Sequence, residues 1–244
     1  MAEQTIFKRY EIKYMLTRAQ LAELKTLMAK YMIADIHGKN TNCSLYYDTP
    51  DKLLIRRSME SPVYKEKLRI RSYGVAQPDT KVFIELKKKY EGVVYKRRVE
   101  MTEEESVRNL IQHEKVKDSQ ITREIDYCFS RYENLAPACL LSYAREAYYG
   151  KNDHEFRITF DENILWRDYD LNLNSGIYGE EILEPDQILM EVKVLDHMPL
   201  WLVKFFSENK IYKTSFSKYA VAYKRMEERK HIVNNVNKGE IKYA

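Results

Sequence analysis

Lys65-Glu66-Lys67-Leu68-Arg69-Ile70-Arg71-Ser72-Tyr73 is the stretch on which the fold turns. In an extended chain residues i, i+2 and i+4 share a face. Lys67, Arg69 and Arg71 therefore line one side, with Leu68 and Ile70 on the other. The next two runs repeat the pattern. Lys81–Tyr90 sets Glu85, Lys87 and Lys89 against Ile84 and Leu86, and residues 93–101 set Lys96 and Arg98 against Tyr95, Arg97 and Val99. Glu91-Gly92 between them is a hairpin signal. Alternation also sends Lys88 to the face opposite Lys87 and Lys89.

Working outward, the same polarity recurs. Residues 5–14 read as a strand with Arg9, Glu11 and Lys13 on one face. A short β run at 43–48 ends in the turn Asp48-Thr49-Pro50-Asp51. Strands at 138–149, 154–161 and Gln187–Val194 pair Tyr143 with Arg145, Arg157 with Thr159 and Asp161, and Glu191 with Lys193. Helices are expected at 17–33 and 102–112, each opened by a capping box (Thr17 with Gln20, Thr102 with Glu105), and at 119–134, 198–209 and 217–230. A polar loop covers 172–179. The reading is one domain over 1–230 followed by a polar C-terminal tail, 231–244.

Bulk composition narrows the classes. Among 244 residues only 7 are Gly and 6 Pro, so collagen-like and linker-rich chains are excluded. No run of 18 apolar residues occurs, so no membrane span is expected, and residues 1–14 carry no apolar core of a secretory signal. Cys43, Cys128 and Cys139 match neither a disulfide framework nor a zinc spacing, which suits a cytoplasmic setting. With 41 basic and 37 acidic residues the net charge is +4, too balanced for a nucleic-acid partner. No phosphate-cradling G-x-x-x-x-G-K-[ST] loop occurs. The five histidines are scattered and none is assigned as a metal ligand.

A solvated outer face explains any one such strand. Strand after strand of long cations, with Glu11, Glu85, Asp161 and Glu191 set among them, points instead to faces that converge in a closed antiparallel β-barrel of the α+β class, with peripheral helices outside. Such a lumen would repel itself unless a polyanion and a divalent metal, Mn²⁺ or Mg²⁺, filled it.

The ordered set Arg9-x-Glu11-x-Lys13-Tyr14, Tyr46-Tyr47-Asp48, Lys67-x-Arg69-x-Arg71-x-Tyr73-Gly74, Phe83-x-Glu85-x-Lys87, Lys96-x-Arg98, Ser142-Tyr143-x-Arg145, Phe156-Arg157-x-x-x-Asp161, Met190-Glu191-x-Lys193 and Ser215-x-Ser217-Lys218-Tyr219 resembles the polyphosphate polymerase domain of the vacuolar transporter chaperone (VTC) complex. That domain belongs to the triphosphate tunnel metalloenzymes of the CYTH-like superfamily, and the resemblance implies their eight-stranded tunnel. The phosphate-sensing domain and membrane segments of the eukaryotic complex have no counterpart here, which implies a stand-alone, bacterial-type form. The resemblance also implies roles. Lys13, Arg69, Arg71, Lys87, Arg145, Arg157 and Lys218 match phosphate-holding residues, and Tyr143 and Ser217 match their polar neighbours. Glu191 matches the metal-binding glutamate. Arg9, Lys96, Arg98 and Lys193 are further phosphate-binding candidates, Glu11 and Glu85 further metal candidates, and Arg56 or Arg57 is expected to add one more basic group. Lys89 stands where the eukaryotic pattern often has His.

The activity implied is ATP-dependent polyphosphate synthesis, transferring the γ-phosphoryl group of ATP to a polyphosphate chain or pyrophosphate primer. The alternatives are a metal-dependent tripolyphosphatase or nucleoside triphosphatase, and a non-catalytic polyphosphate-binding module acting with a membrane-protein partner.

Overall fold

The computed structural model describes residues 6–7, 10–60, 62–91, 93–112 and 114–237. Arg9, Gly92 and His113 lie outside the described residues. In chain order the elements are β1 (Ile6–Phe7), β2 (Tyr10–Thr17), α1 (Arg18–Met28), β3 (Met32–Ala34), β4 (Asn40–Asp48), α2 (Leu53–Met59), β5 (Tyr64–Tyr73), β6 (Lys81–Tyr90) and β7 (Val93–Thr102). Then follow α3 (Glu103–Leu110), α4 (Gln120–Arg131), β8 (Ala136–Gly150), β9 (Arg157–Arg167), β10 (Glu180–Glu181), β11 (Gln187–Val194), α5 (Leu200–Glu208), β12 (Lys213–Thr214) and α6 (Lys218–Asn237).

The strands form one sheet in the order β1-β7-β6-β5-β4-β8-β9-β11-β2-β12, with β10 on β9 and β3 on β8, and every pairing is antiparallel. This corrects the expectation of a closed eight-stranded barrel. Among the described residues the sheet has twelve strands and its hydrogen-bonded order is open. The β2 edge at Tyr14 and Lys13 pairs with β12, while β1, just ahead of β2, pairs with β7 through Ile6 and Phe7. The extra strands are pieces of two or three residues, too short to show periodicity. The sheet is nonetheless strongly curled. Lys87 on β6 bonds Glu11 on β2 at 3.2 Å, although five strands separate them in the sheet order.

The apolar residues of the alternating strands face outward and carry the helices. Leu45, Leu68, Ile70, Ile84 and Leu86 pack with Leu110 of α3 and Ile125 and Cys128 of α4. Ile158, Phe160, Met190 and Val192 pack with Leu21, Leu24 and Met28 of α1 and Leu202 and Phe206 of α5. Both expected capping boxes form, and Ser119 with Thr122 adds a third at the start of α4. Helix α1 stops at Met28, short of the expected 33, because Met32–Ala34 pairs with β8 as β3 and buries Met32. Helix α6 runs on to Asn237, through the first part of the stretch expected as a tail.

On the concave side, α6 and α2 fill one end. Tyr219, Ala222 and Met226 of α6 and Ile55 of α2 pack against Tyr46, Leu141, Tyr143 and Leu189. Asp48 locks this end. It is 1% exposed; its Oδ1 accepts from the Thr49 and Leu54 amides at 2.9 and 2.8 Å, and its Oδ2 from the Ile55 amide at 3.1 Å and the Tyr219 hydroxyl at 2.9 Å. One carboxylate thus satisfies two free N–H groups of α2, the Leu53 amide going to Thr49 Oγ1, and holds α6 to β4. Asp48→Ala leaves these buried donors unpaired and is expected to cost about 3 kcal/mol of stability. The check is urea unfolding, in which the midpoint falls with the slope unchanged.

Candidate functional site

Register converts the alternation into rows across the concave face, because directly opposed residues share a face. One row runs Tyr46, Arg69, Glu85, Arg98 over β4 to β7, and the next runs Lys67, Lys87, Lys96 over β5 to β7. From the other flank come Thr159, Glu191 and Lys13, then Arg157, Lys193 and Glu11, over β9, β11 and β2. Lys88 and Arg97 point the other way and bond Glu124 of α4 at 3.6 and 3.4 Å, as alternation required.

Two buried carboxylates organise the cations. Glu85, 1% exposed, takes Arg69 at 2.7 Å, Lys96 at 2.8 Å and Arg98 at 3.9 Å. Burial opposes its charge, but Arg69, Arg71 and Lys96 outweigh it and hold the carboxyl far below the ordinary range. Asp161, fully buried, receives both arms of Arg145, one at 2.7 Å, and the ammonium of Lys218 from the start of α6. Its role as the common partner of Arg145 and Lys218 is not among the expected site functions, although its place beside Arg157 and Thr159 is visible in the sequence.

Other cations form no ion pair with a carboxylate among the described residues. Lys13 Nζ donates to the Phe216 carbonyl at 2.7 Å. Among the described residues Lys67 Nζ donates only to Ser217 Oγ, at 3.4 Å. Arg71, 9% exposed, donates to Ser44 Oγ at 3.4 Å and to the Tyr143 hydroxyl at 3.3 Å. Burial pushes Tyr143 up, and the charges of Arg71, Arg145 and Lys218 overcome it, bringing the phenol down to about 8. Burial, followed by Lys13, Lys87, Lys65 and Arg69, pushes Lys67 down to about 7. Lys67 is a site residue that the sequence places on the right face without singling it out; the signal was its position directly opposite Lys87.

The remaining candidates sit toward the rim or elsewhere. Lys193 pairs with Glu191 at 3.2 Å, and Arg157 turns to Asp35 at 3.1 Å. Ser217 accepts from the Ala220 amide at 3.4 Å and so also caps α6. Neither Arg56 nor Arg57 joins the inner face. Arg56 bonds Asp51 on the surface, and Arg57 is exposed on α2 with no hydrogen bond or ion pair among the described residues.

The carboxylates test the expected metal. Among the described residues no three His, Cys, Asp or Glu side chains gather into a metal-holding group. Glu85 does not fit, because its oxygens are already taken by three cations. Glu191 and Glu11 lie diagonally on adjacent strands and repel each other. The Glu11 carboxyl is raised by burial, lowered by Lys87 and raised again by Glu191, and with Lys193 the net lies below its usual value. Burial is outweighed at Glu191 too, by Lys193, Arg145, Lys13 and Lys218. Two hard, ionised oxygen donors suit Mg²⁺ or Mn²⁺ when phosphate oxygens complete the shell.

The curled antiparallel sheet with helices outside recurs in solved structures of other proteins. A candidate adenylate cyclase from Bacillus halodurans superposes with TM-score 0.57 at 12% identity, covering 88% of this chain and 96% of its own. A candidate adenylyl cyclase from Hippeastrum, described as having a dominant triphosphatase activity, superposes with TM-score 0.50 at 18% identity, covering 86% and 93%. The VTC domain matches residues 8–227, and the chain belongs to the VTC domain family. No curated protein matches it in sequence.

Lys67 carries a pH signature. Over the window from about 7 to the ordinary lysine value the unfolded chain holds a proton that folded Lys67 has lost, so this group makes stability rise with pH there. A bound polyanion restores the ammonium. Binding of tripolyphosphate near about pH 8 is therefore expected to take up about one proton more in wild type than in Lys67→Met. Calorimetry in buffers of different ionisation enthalpy reads the difference, and the ligand's own protonation cancels between the two proteins.

Proposed function

We propose that this protein is an ATP-dependent polyphosphate polymerase that works on the concave face of its sheet. The observation that carries the reading is the set of inner cations, Lys13, Lys67 and Arg71, that have no carboxylate partner among the described residues. A phosphate chain supplies the missing negative charge. Arg69, Arg71 and Arg145 suit phosphate oxygens because a guanidinium donates in a planar fork.

The chemistry needs positioning and charge neutralisation more than a nucleophilic side chain. A terminal oxygen of the acceptor chain attacks the γ-phosphorus of ATP, the bond from that phosphorus to the β,γ-bridging oxygen breaks, and ADP leaves with that oxygen. Lys13, Lys67 and Arg71 hold the donor and acceptor phosphates in line and stabilise the charge that moves to the leaving oxygen. Lys218 and Arg145, fixed by Asp161, set the position of the transferred group. A divalent ion held by Glu191 and Glu11 would neutralise phosphate oxygens when bound.

The triphosphatase reading uses the same face, and the activity named for the Hippeastrum protein of this fold favours it. The protonation of the carboxylates favours transfer to phosphate. Hydrolysis gains from a base to deprotonate water; Glu11, Glu85, Asp161 and Glu191 are all weakened for that role by cations that hold them below their ordinary values, which leaves Lys67, pushed down to about 7, as the group that could take the proton. An acceptor that is already anionic needs no base.

Incubation with ATP and Mn²⁺ or Mg²⁺ decides between them. Long-chain polymer is the expected product, and orthophosphate release alone would establish the hydrolase. Glu191→Gln is expected to abolish turnover while retaining part of the phosphate binding. Arg71→Ala is expected to weaken tripolyphosphate binding by about 2 kcal/mol, roughly thirtyfold, as a charge-assisted contact does; an unchanged affinity places Arg71 outside the site.

A further inference from the structure

Beyond the arginines, β5 and β6 carry a feature that this site leaves unused. Lys65 stands directly opposite Lys89, one row outward from Lys67 and Lys87. Directly opposed like charges destabilise a sheet, and here they occur in two consecutive rows. Lys87 has Glu11 as a partner at 3.2 Å. Among the described residues Lys65 has only the Ser58 carbonyl, at the C-terminal end of α2, at 3.1 Å. Lys89 is exposed and has no polar partner among the described residues. Exposure rises along the wall from Arg71, at 9%, through half-buried Lys67 and Lys65 to Lys89 at the mouth. The basic groups change along the same line from arginine to lysine. Arginine forks fix a phosphate in one geometry, whereas flexible ammonium groups follow a chain without fixing its register.

We propose that Lys65 and Lys89 form a second anion subsite, outboard of the arginine-lined centre, that holds phosphate groups of a linear chain beyond those seated in the centre. The inference rests on the reading of the concave face as a phosphate-chain site, and it adds a preference for chain length. The subsite also gives the chain a direction: the reacting end lies at the arginines and the growing or bound remainder leaves along the lysines.

The test compares tripolyphosphate with a linear polyphosphate of about ten phosphates on wild type and on the double variant Lys65→Gln/Lys89→Gln. The longer chain has more ways to seat in the centre, but that multiplicity is common to both proteins and cancels. The variant is expected to lose about tenfold in affinity for the long chain and to keep its tripolyphosphate affinity within about twofold. Equal losses for both ligands, or no loss for either, overturn the subsite. A second measurement needs no variant. In wild type the slope of log affinity against log salt should be steeper for the long chain by about two, one counterion for each added lysine contact, and equal slopes overturn the proposal. Failure of ATP to yield polymer, with this length discrimination intact, counts against the transferase reading alone. A wild type that binds neither ligand overturns both.

Discussion

Lys67 faces Lys87 across β5 and β6, and Lys87 faces Lys96 across β6 and β7, so three ammonium groups share one row of a half-buried surface. Coulomb repulsion grows as water is withdrawn, and such a row would spread if the strands were free to part. They are not free. The opposite face of the same strands, through Leu68, Ile70, Ile84 and Leu86, is buried against α3 and α4. The outer apolar layer therefore holds the inner charges together, and on the proposed reading an entering anion would relieve their repulsion. Stability and ligand demand come from the two faces of one sheet.

Carboxylates inside this surface act as fixed counter-ions, and their placement divides it. Glu85 neutralises Arg69 and Lys96, and Asp161 neutralises Arg145 and Lys218. Each aims long side chains that would otherwise point in many directions. Between these two anchors Lys13, Lys67 and Arg71 form no ion pair with a carboxylate among the described residues. Helix α6 belongs to the same arrangement. Asp48 and the Tyr219 hydroxyl hold it to β4, Tyr219 stacks on Tyr46, and the Tyr46 hydroxyl in turn accepts from Arg69. The N-terminal residues of the helix, Ser217 and Lys218, thereby reach the inner face from a rigid mount.

Much of this was legible in the sequence, because alternation with period two is a geometric property of strands. The β6 and β11 boundaries, the inward set on β5 and the outward direction of Lys88 follow from it directly. The capping boxes at Thr17 and Thr102 were equally readable, since each needs only a four-residue spacing. Closure was not legible. The pairing of β2 with β12 rests on a two-residue strand near Lys213, which has no periodicity to read. Ion-pair partners were not legible either. Glu85 sits on the same face as Glu11, but only register reveals that three cations surround it and that it cannot serve a metal. Short α2 was missed because its burial depends on Asp48 and α6, which are distant in sequence.

The central claim is that the anion lies on the concave face, and lysine footprinting tests it most directly. With tripolyphosphate bound, Lys13, Lys67, Lys87 and Lys218 should lose reactivity toward a small amine-acylating reagent, while Lys88 on the opposite face and Lys204 on α5 keep theirs. Unchanged labelling of the first group, or equal protection of the second, would contradict the account.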